Sequence, residues 1–240
     1  MSTFKRPANL EFPKTYYKFN LKNKTTGEIE KYRVQDLPED RFEDALDLMV
    51  NHFLPDEEIN ISRGLLKSQE GIKEHRELWA EMINQKFSIA CFKDDGSNEL
   101  VGVNVLNVCS KDDIEEKLNI KDDAFSDILA LLDYTVKQFD VYKEFKVNSY
   151  LTAFGLCIIP AYRGKGIATE MLKARVPILK ALNLSVTSTA FTGTASQIAA
   201  KKAEYETVYS IKYSDLKHIS PRFNFLNTKT EYFKLMALKI

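Results

Sequence analysis

The chain has 240 residues, 34 of them Lys or Arg and 34 Asp or Glu, so its formal net charge is zero. That balance excludes a protein that relies on a basic excess to hold nucleic acid or an anionic membrane, and the 44% hydrophobic and 11% aromatic content excludes a disordered tail. Nine glycines and seven prolines exclude collagen-like and low-complexity chains, and the length is ample for one continuous core.

In chain order, Tyr16–Leu21 reads as a strand, the segment 23–27 as a turn, and Ile29–Leu37 as a second strand, which together predict a hairpin. Pro38-Glu39-Asp40 reads as a helix start with Asp40 as cap, followed by Phe42, Ala45, Leu46, Met49, Val50 and Phe53 at helical spacing. The proline and acids of Leu54–Asn60 predict a loop or helix junction; Gly64–Gln85 returns to helix. Phe87–Phe92 and Leu100–Cys109 are strands around the turn 94–98. The charged stretch 111–123 reads as exposed, and Phe125–Phe139 as an amphipathic helix. Tyr150–Ile159 is an apolar run suited to a strand covered on both faces. A helix follows from Ala168, with Met171, Leu172, Arg175 and Leu179 on one side and Pro177 predicting a kink or early end. Leu184–Phe191 is a strand, Ser196–Lys202 a short helix, and Tyr205–Tyr213 and Tyr232–Ile240 are the last strands. Strands with interposed helices predict a mixed α/β sheet.

Cys91, Cys109 and Cys157 form no C-x-x-C pair, and two lie in apolar runs, so buried reduced thiols are expected. His52, His75 and His218 are far apart and show no metal-binding spacing, so no metal is expected. No apolar stretch of signal-peptide or membrane-spanning length occurs, and a cytoplasmic address without membrane or nucleic-acid partners is expected.

The strand ending at Ile159 runs through Pro160 into Arg163-Gly164-Lys165-Gly166-Ile167-Ala168 and then a helix. Unpaired N–H groups in the first helical turn, the helix dipole, two permissive glycines and two bases together suit a pyrophosphate. A plain glycine turn with solvated bases is the competing reading. The loop is neither a P-loop nor a G-x-G-x-x-G fingerprint, since Thr169 fills the third glycine's place.

Arg163–Ala168 resembles the R/Q-x-x-G-x-G/A acetyl-CoA motif of the GNAT superfamily of N-acetyltransferases. Phe191–Lys202 and Phe53-Leu-Pro-Asp-Glu-Glu-Ile-Asn60 resemble segments of its insect arylalkylamine N-acetyltransferase branch, the second being similar to that branch's F-x-x-D-E-P-L-N. The resemblance implies one GNAT domain over 1–240, with an N-terminal extension or hairpin at about 1–28, an acetyl-CoA core at about 150–205, and a mixed, mostly antiparallel, splayed sheet flanked by helices. It implies that the backbone of Leu156, Cys157 and Ile158 pairs with the pantetheine arm and that Arg163, Gly164, Lys165, Gly166, Ile167 and Ala168 hold the pyrophosphate. Acetyl-CoA is then the cosubstrate, a small amine the acceptor, and the chain a monomer or weak dimer.

By the same resemblance Glu57 is the general base, its ionisation opposed by Asp56 and Glu58. His52 is the rival base. Ser196 matches the second serine of the branch's S-x-x-x-S pair and Thr192 stands at the first, so both could donate to the thioester sulfur or a water; helix capping is the alternative for both. The superfamily's general-acid tyrosine is absent: Ala200 holds its place, and Glu204 replaces a usual glycine. Phe42, Phe53, Trp79, Tyr142, Phe145 and Phe154 are candidates for either an aryl pocket or the core. The expected acceptors are dopamine, octopamine, tyramine, serotonin or tryptamine. Alternatives are a polyamine or agmatine acetyltransferase, a fatty-acyl N-acyltransferase, or a non-catalytic CoA-binding module. Charge is segregated: Glu39–Glu58 holds eight acids and one base, Arg163–Lys180 five bases and one acid. The basic stretch is expected to face the CoA phosphates.

Overall fold

Alternation of inward and outward side chains builds β1 (Thr15–Lys22) and β2 (Ile29–Asp36) into the expected hairpin, with Phe19 opposite Tyr32. The computed structural model describes residues 3–23, 26–114 and 119–240. Residues 1–2, residues 24–25 of the expected turn and residues 115–118 of the expected exposed stretch lie outside the described residues.

The helical pattern after β2 yields α1 (Phe42–Leu48), continued by a wider π-type turn over Met49–Phe53. Asp40 sits in a short 3-10 turn and caps nothing. After a tight turn at Pro55 and Asp56 the chain re-enters helix as α2 (Glu58–Arg63), which the acids and proline of the sequence had masked. Next come α3 (Gln69–Asn84), capped by the Ser68 hydroxyl, and the antiparallel strands β3 (Ile89–Lys93) and β4 (Leu100–Ser110). Then α4 (Asp123–Lys137) and α5 (Val141–Phe145) precede β5 (Ser149–Ile158). The helix after the glycine loop is two pieces, α6 (Ile167–Lys173) and α7 (Arg175–Ala181). Pro177 explains the break: it has no N–H for the carbonyl of Lys173, four residues back, and its ring crowds that carbonyl. The chain ends with β6 (Val186–Phe191), α8 (Thr194–Lys202), β7 (Glu206–Lys212), α9 (Tyr213–Ile219) and β8 (Tyr232–Lys239).

The strands form one sheet in the order β1-β2-β3-β4-β5-β6-β8-β7, antiparallel throughout except for the parallel β5–β6 neighbours. Side chains alternate between two helical layers. Ala90 and Phe92 of β3 join the core made with α1, α3 and α4, while Ile89 and Cys91 join the core made with α6 and α7. Cys91, Cys109 and Cys157 are free thiols, and burial pushes all three pKa values up, to about 11 for Cys109 and about 12 for the others. Among the described residues no helix is long and apolar enough to cross a membrane.

Candidate active site

The site begins where the sheet opens. β5 and β6 share a single register pair, Leu151 with Thr187, and beyond it the strands part. On its other side β5 carries one extra residue against β4, a bulge between the Leu106–Ala153 and Asn104–Leu156 pairs. Two side chains satisfy the bulge: the indole of fully buried Trp79 donates to the Phe154 carbonyl (2.7 Å) and the Asn104 amide to the Gly155 carbonyl (2.7 Å). Gly155 has φ +132°, and a Cβ there would fall 2.5 Å from Met49 Cε and 3.2 Å from the Phe53 ring, so the bulge needs glycine.

After the bulge, the Ile159 N–H donates to the Val101 carbonyl. By strand alternation Cys157 therefore spends its backbone groups on β4, while those of Leu156 and Ile158 face the open gap. The gap leads to Arg163–Ala168. Gly164 (φ +73°) and Gly166 (φ +94°) line the cleft, and nothing lies within 4 Å of where their Cβ atoms would be.

Arg163 spans the mouth. Its Nε donates to the Ile158 carbonyl (2.8 Å), Nη1 to Asp56 (2.5 Å) and Nη2 to the His52 carbonyl (3.2 Å), joining the glycine loop to the acidic turn. Lys165 turns away to Glu30 (3.2 Å), Lys173 pairs with Glu170, and Arg175 is buried. The basic stretch is thus largely committed within the protein, which corrects the expectation that it faces phosphates as a set.

The three acids diverge. Asp56 takes Arg163; Glu58 accepts from the Lys229 N–H (2.8 Å) and the Thr230 hydroxyl (3.0 Å). Glu57, at the N-cap of α2, points inward: its Oε1 is buried and has no hydrogen-bond partner among the described residues. Burial raises the Glu57 pKa; the Thr192 hydroxyl and Ile59 N–H oppose this, and the charges of Glu58 and Asp56 add to it. The flanking acids act in the expected direction, but desolvation is the larger cause.

Two cavities meet at Glu57. The first, about 410 Å³, runs along Leu156–Ile158 and the glycine loop, and His52, Thr192 and Ser196 also line it. The second, about 200 Å³, is mostly apolar, with Phe53, Leu78, Phe125, Leu132 and Phe154 in its wall. Glu57, Leu156, Thr192 and Ser196 line both. Of the residues expected at the site, only Lys165 does not line the first cavity. Among the described residues Glu57 is the sole carboxylate lining the second, whose wall also includes Arg175. That guanidinium is 1% exposed and faces no acid among the described residues; it donates to Asn104 Oδ1 from Nε (3.1 Å) and Nη2 (2.9 Å) and to the Thr187 and Thr189 hydroxyls.

Thr192 and Ser196 do not cap α8. Its N-cap is Gly193, the Thr194 N–H is met by the Thr230 hydroxyl, and Ser196 donates back to the Gly193 carbonyl (2.8 Å). The Tyr213 hydroxyl fixes the Thr192 carbonyl (2.9 Å). Ala200 is fully buried. Glu204 has φ +67° just past α8, which shows why glycine is usual there; the side chain costs about 1–2 kcal/mol. Of the candidate aromatics, Phe53 and Phe154 line the second cavity, Trp79 and Phe42 pack in the adjoining core, and Tyr142 and Phe145 lie in a separate cluster with Val141 and Val186. Sequence reasoning missed Asn60, His75, Phe125 and Phe191 in the second cavity. His75 had a signal, since it lies on the Ile72–Trp79–Met82 stripe of α3.

No protein-family model matches the chain, and no curated protein matches it. Solved structures do. A candidate arylalkylamine N-acetyltransferase 7 from the yellow fever mosquito Aedes aegypti matches with TM-score 0.94 at 37% identity, covering 99% of both chains. Arylalkylamine N-acetyltransferase 2 from Aedes aegypti matches with TM-score 0.76 at 20% identity over 87% of this chain and 99% of that one. A mosquito arylalkylamine N-acetyltransferase like 5b gives 0.73 at 19%, over 87% and 100%. The last two show the shared fold.

Proposed function

The chain belongs to the insect arylalkylamine N-acetyltransferase branch of the GNAT superfamily of acyltransferases, and on that premise we propose that it transfers acetyl from acetyl-CoA to the primary amine of a small arylalkylamine, with Glu57 as general base. The observation that carries this reading is the junction of the two cavities at one inward carboxylate with an unpaired oxygen.

The residues fit acetyl-CoA. The β5–β6 gap offers the Leu156 backbone and the Ile158 N–H to an extended amide-bearing arm, the Ile158 carbonyl being held by Arg163, within an acetyl-CoA core spanning about 150–205. The open space over Gly164 and Gly166 admits phosphate oxygens to the amides of the Arg163–Ala168 loop. Acetyl-CoA supplies an activated thioester. The acceptor enters from the apolar cavity, where its ring packs against Phe53, Phe125 and Phe154.

An alkylamine has a pKa of about 10.4 and is mostly protonated at neutral pH. Glu57 Oε1, buried and unpaired, accepts that proton directly or through a water, and its raised pKa suits the task. Thr192 and Ser196 place hydroxyls where the cavities join and serve the departing sulfur; Thr192 must first release Glu57 and Ser196 the Gly193 carbonyl. A polyamine or agmatine would bring a second cation into a cavity whose sole carboxylate is Glu57 and whose wall already holds Arg175, which disfavours that reading.

The test is thiol release from acetyl-CoA with dopamine, octopamine, tyramine, serotonin, tryptamine, agmatine and spermidine. Turnover confined to arylalkylamines is expected. Faster turnover of agmatine or spermidine would refute the acceptor assignment. Acetyl-CoA binding without thiol release for any amine would favour the non-catalytic module.

A further inference from the structure

Besides Glu57, the apolar cavity contains two polar side chains that the protein leaves unsatisfied. Asn60 of α2 is 1% exposed, and neither its amide oxygen nor its nitrogen has a hydrogen-bond partner among the described residues. His75 of α3 is 8% exposed, and its Nδ1 has none either. The His75 ring is fixed between Trp79 and Phe125, with ring centroids 4.2 and 4.4 Å away. Burial lowers its pKa to about 3, so the imidazole is neutral at physiological pH.

Buried polar groups without partners are uncommon and costly, and each calls for a reason. A purely apolar ring in this cavity would leave them unpaired. A carboxylate would be desolvated among aliphatic and aromatic walls, and a second ammonium would meet no counter-ion beyond Glu57. A neutral hydroxyl both donates and accepts, which matches an amide that does the same and a neutral imidazole. The cavity is otherwise suited to an arene, and Glu57 marks the end where the amine reacts.

We propose that Asn60 and His75 form a hydroxyl-recognition subsite that makes the protein select ring-hydroxylated arylalkylamines over unsubstituted ones. The assignment rests on the acceptor reading above. The two residues are specificity determinants that line the acceptor's cavity, Asn60 about one helical turn after Glu57 on α2 and His75 on α3. A site built to bond a substrate hydroxyl rejects the analogue lacking it more strongly than an apolar pocket separates two hydrocarbons.

The experiment compares kcat/KM for tyramine and 2-phenylethylamine, which differ by one hydroxyl, in the wild type, Asn60→Leu and His75→Phe. The second variant keeps the ring stack with Trp79 and Phe125 and decides the matter should Asn60→Leu fail to fold. The wild type is expected to favour tyramine by at least about tenfold, and each variant to pull that ratio toward one by losing tyramine turnover more than phenylethylamine turnover. A wild-type ratio within about twofold, or a ratio that His75→Phe leaves unmoved, overturns the subsite. Absence of turnover with these two amines and with the wider amine panel would refute the acetyltransferase reading instead. Amine binding then decides the subsite through the fluorescence of Trp79, the chain's only tryptophan, excited beyond phenol absorption. Tighter tyramine binding that the variants abolish upholds the subsite, and equal binding of the two amines rejects it.

Discussion

Glu57→Gln separates a base from a structural carboxylate, because the two roles predict opposite signs for stability. Glutamine matches the shape but accepts no proton. Removing a positioned base costs about 10²–10⁴ in rate, or about 2.7–5.4 kcal/mol of barrier. Stability should move the other way. In the fold Glu57 Oε1 is buried without a partner and desolvation raises the pKa, so the folded state favours the protonated form. The wild type is then best off below the unfolded carboxylate pKa of about 4.3 and loses stability as pH rises through the folded pKa. Glutamine carries no such charge, so its advantage should be absent near about pH 4 and grow toward neutrality. An unmade bond at a buried polar atom costs about 1–3 kcal/mol; the amide leaves part of that cost, so the gain is on the order of 1 kcal/mol, or about 2–4 °C in Tm. The assays are steady-state kinetics with saturating acetyl-CoA and thermal unfolding across pH. A variant that is both slower and less stable at neutral pH would refute the reasoning, since it would make Glu57 a structural group.

Thr192→Val removes the hydroxyl that favours ionised Glu57 while preserving shape, so the Glu57 pKa should rise further and the acid limb of kcat/KM should move to higher pH; a limb that stays put or moves down would contradict the pairing. Arg175→Ala should cost at least about 3 kcal/mol in urea unfolding, because it empties a large buried volume and strands Asn104, Thr187 and Thr189. It should also slow catalysis, since Asn104 holds the Gly155 bulge; a loss under about 1 kcal/mol would show that the guanidinium is not held as described.

Much of the fold was legible because it follows from local periodicity. The β1–β2 hairpin was marked by alternation, β5 by a continuous apolar run, the loop by its permissive glycines and the helix break by a proline with one permitted φ. The α2 helix was obscured because its first turn follows a proline and shares acids with the junction, and α5 and α9 are too short for a periodic signal. The bulge was invisible as well: it is a register offset between strands, and nothing in Phe154-Gly155 alone says which neighbour it faces.

The candidate site divides along the same line. Glu57, Thr192, Ser196 and the glycine loop were found by motif, since they sit in contiguous segments whose residue types resemble a family pattern. That Thr192 lies beside Glu57, and that Arg163 holds Asp56, joins positions more than a hundred apart in the chain, which only packing can do. Asn60 and His75 became interesting once both were seen buried and unpaired in one cavity. The zero net charge with which the sequence began shows the same limit. Composition fixed the sum, and the chain order fixed an acidic stretch and a basic one. Tertiary structure decided that the two stretches meet through Arg163 and Asp56, and that Arg175 is buried behind the sheet opening. Charge is a property of residues, whereas exposure and pairing are properties of neighbours, and neighbours are set by the fold.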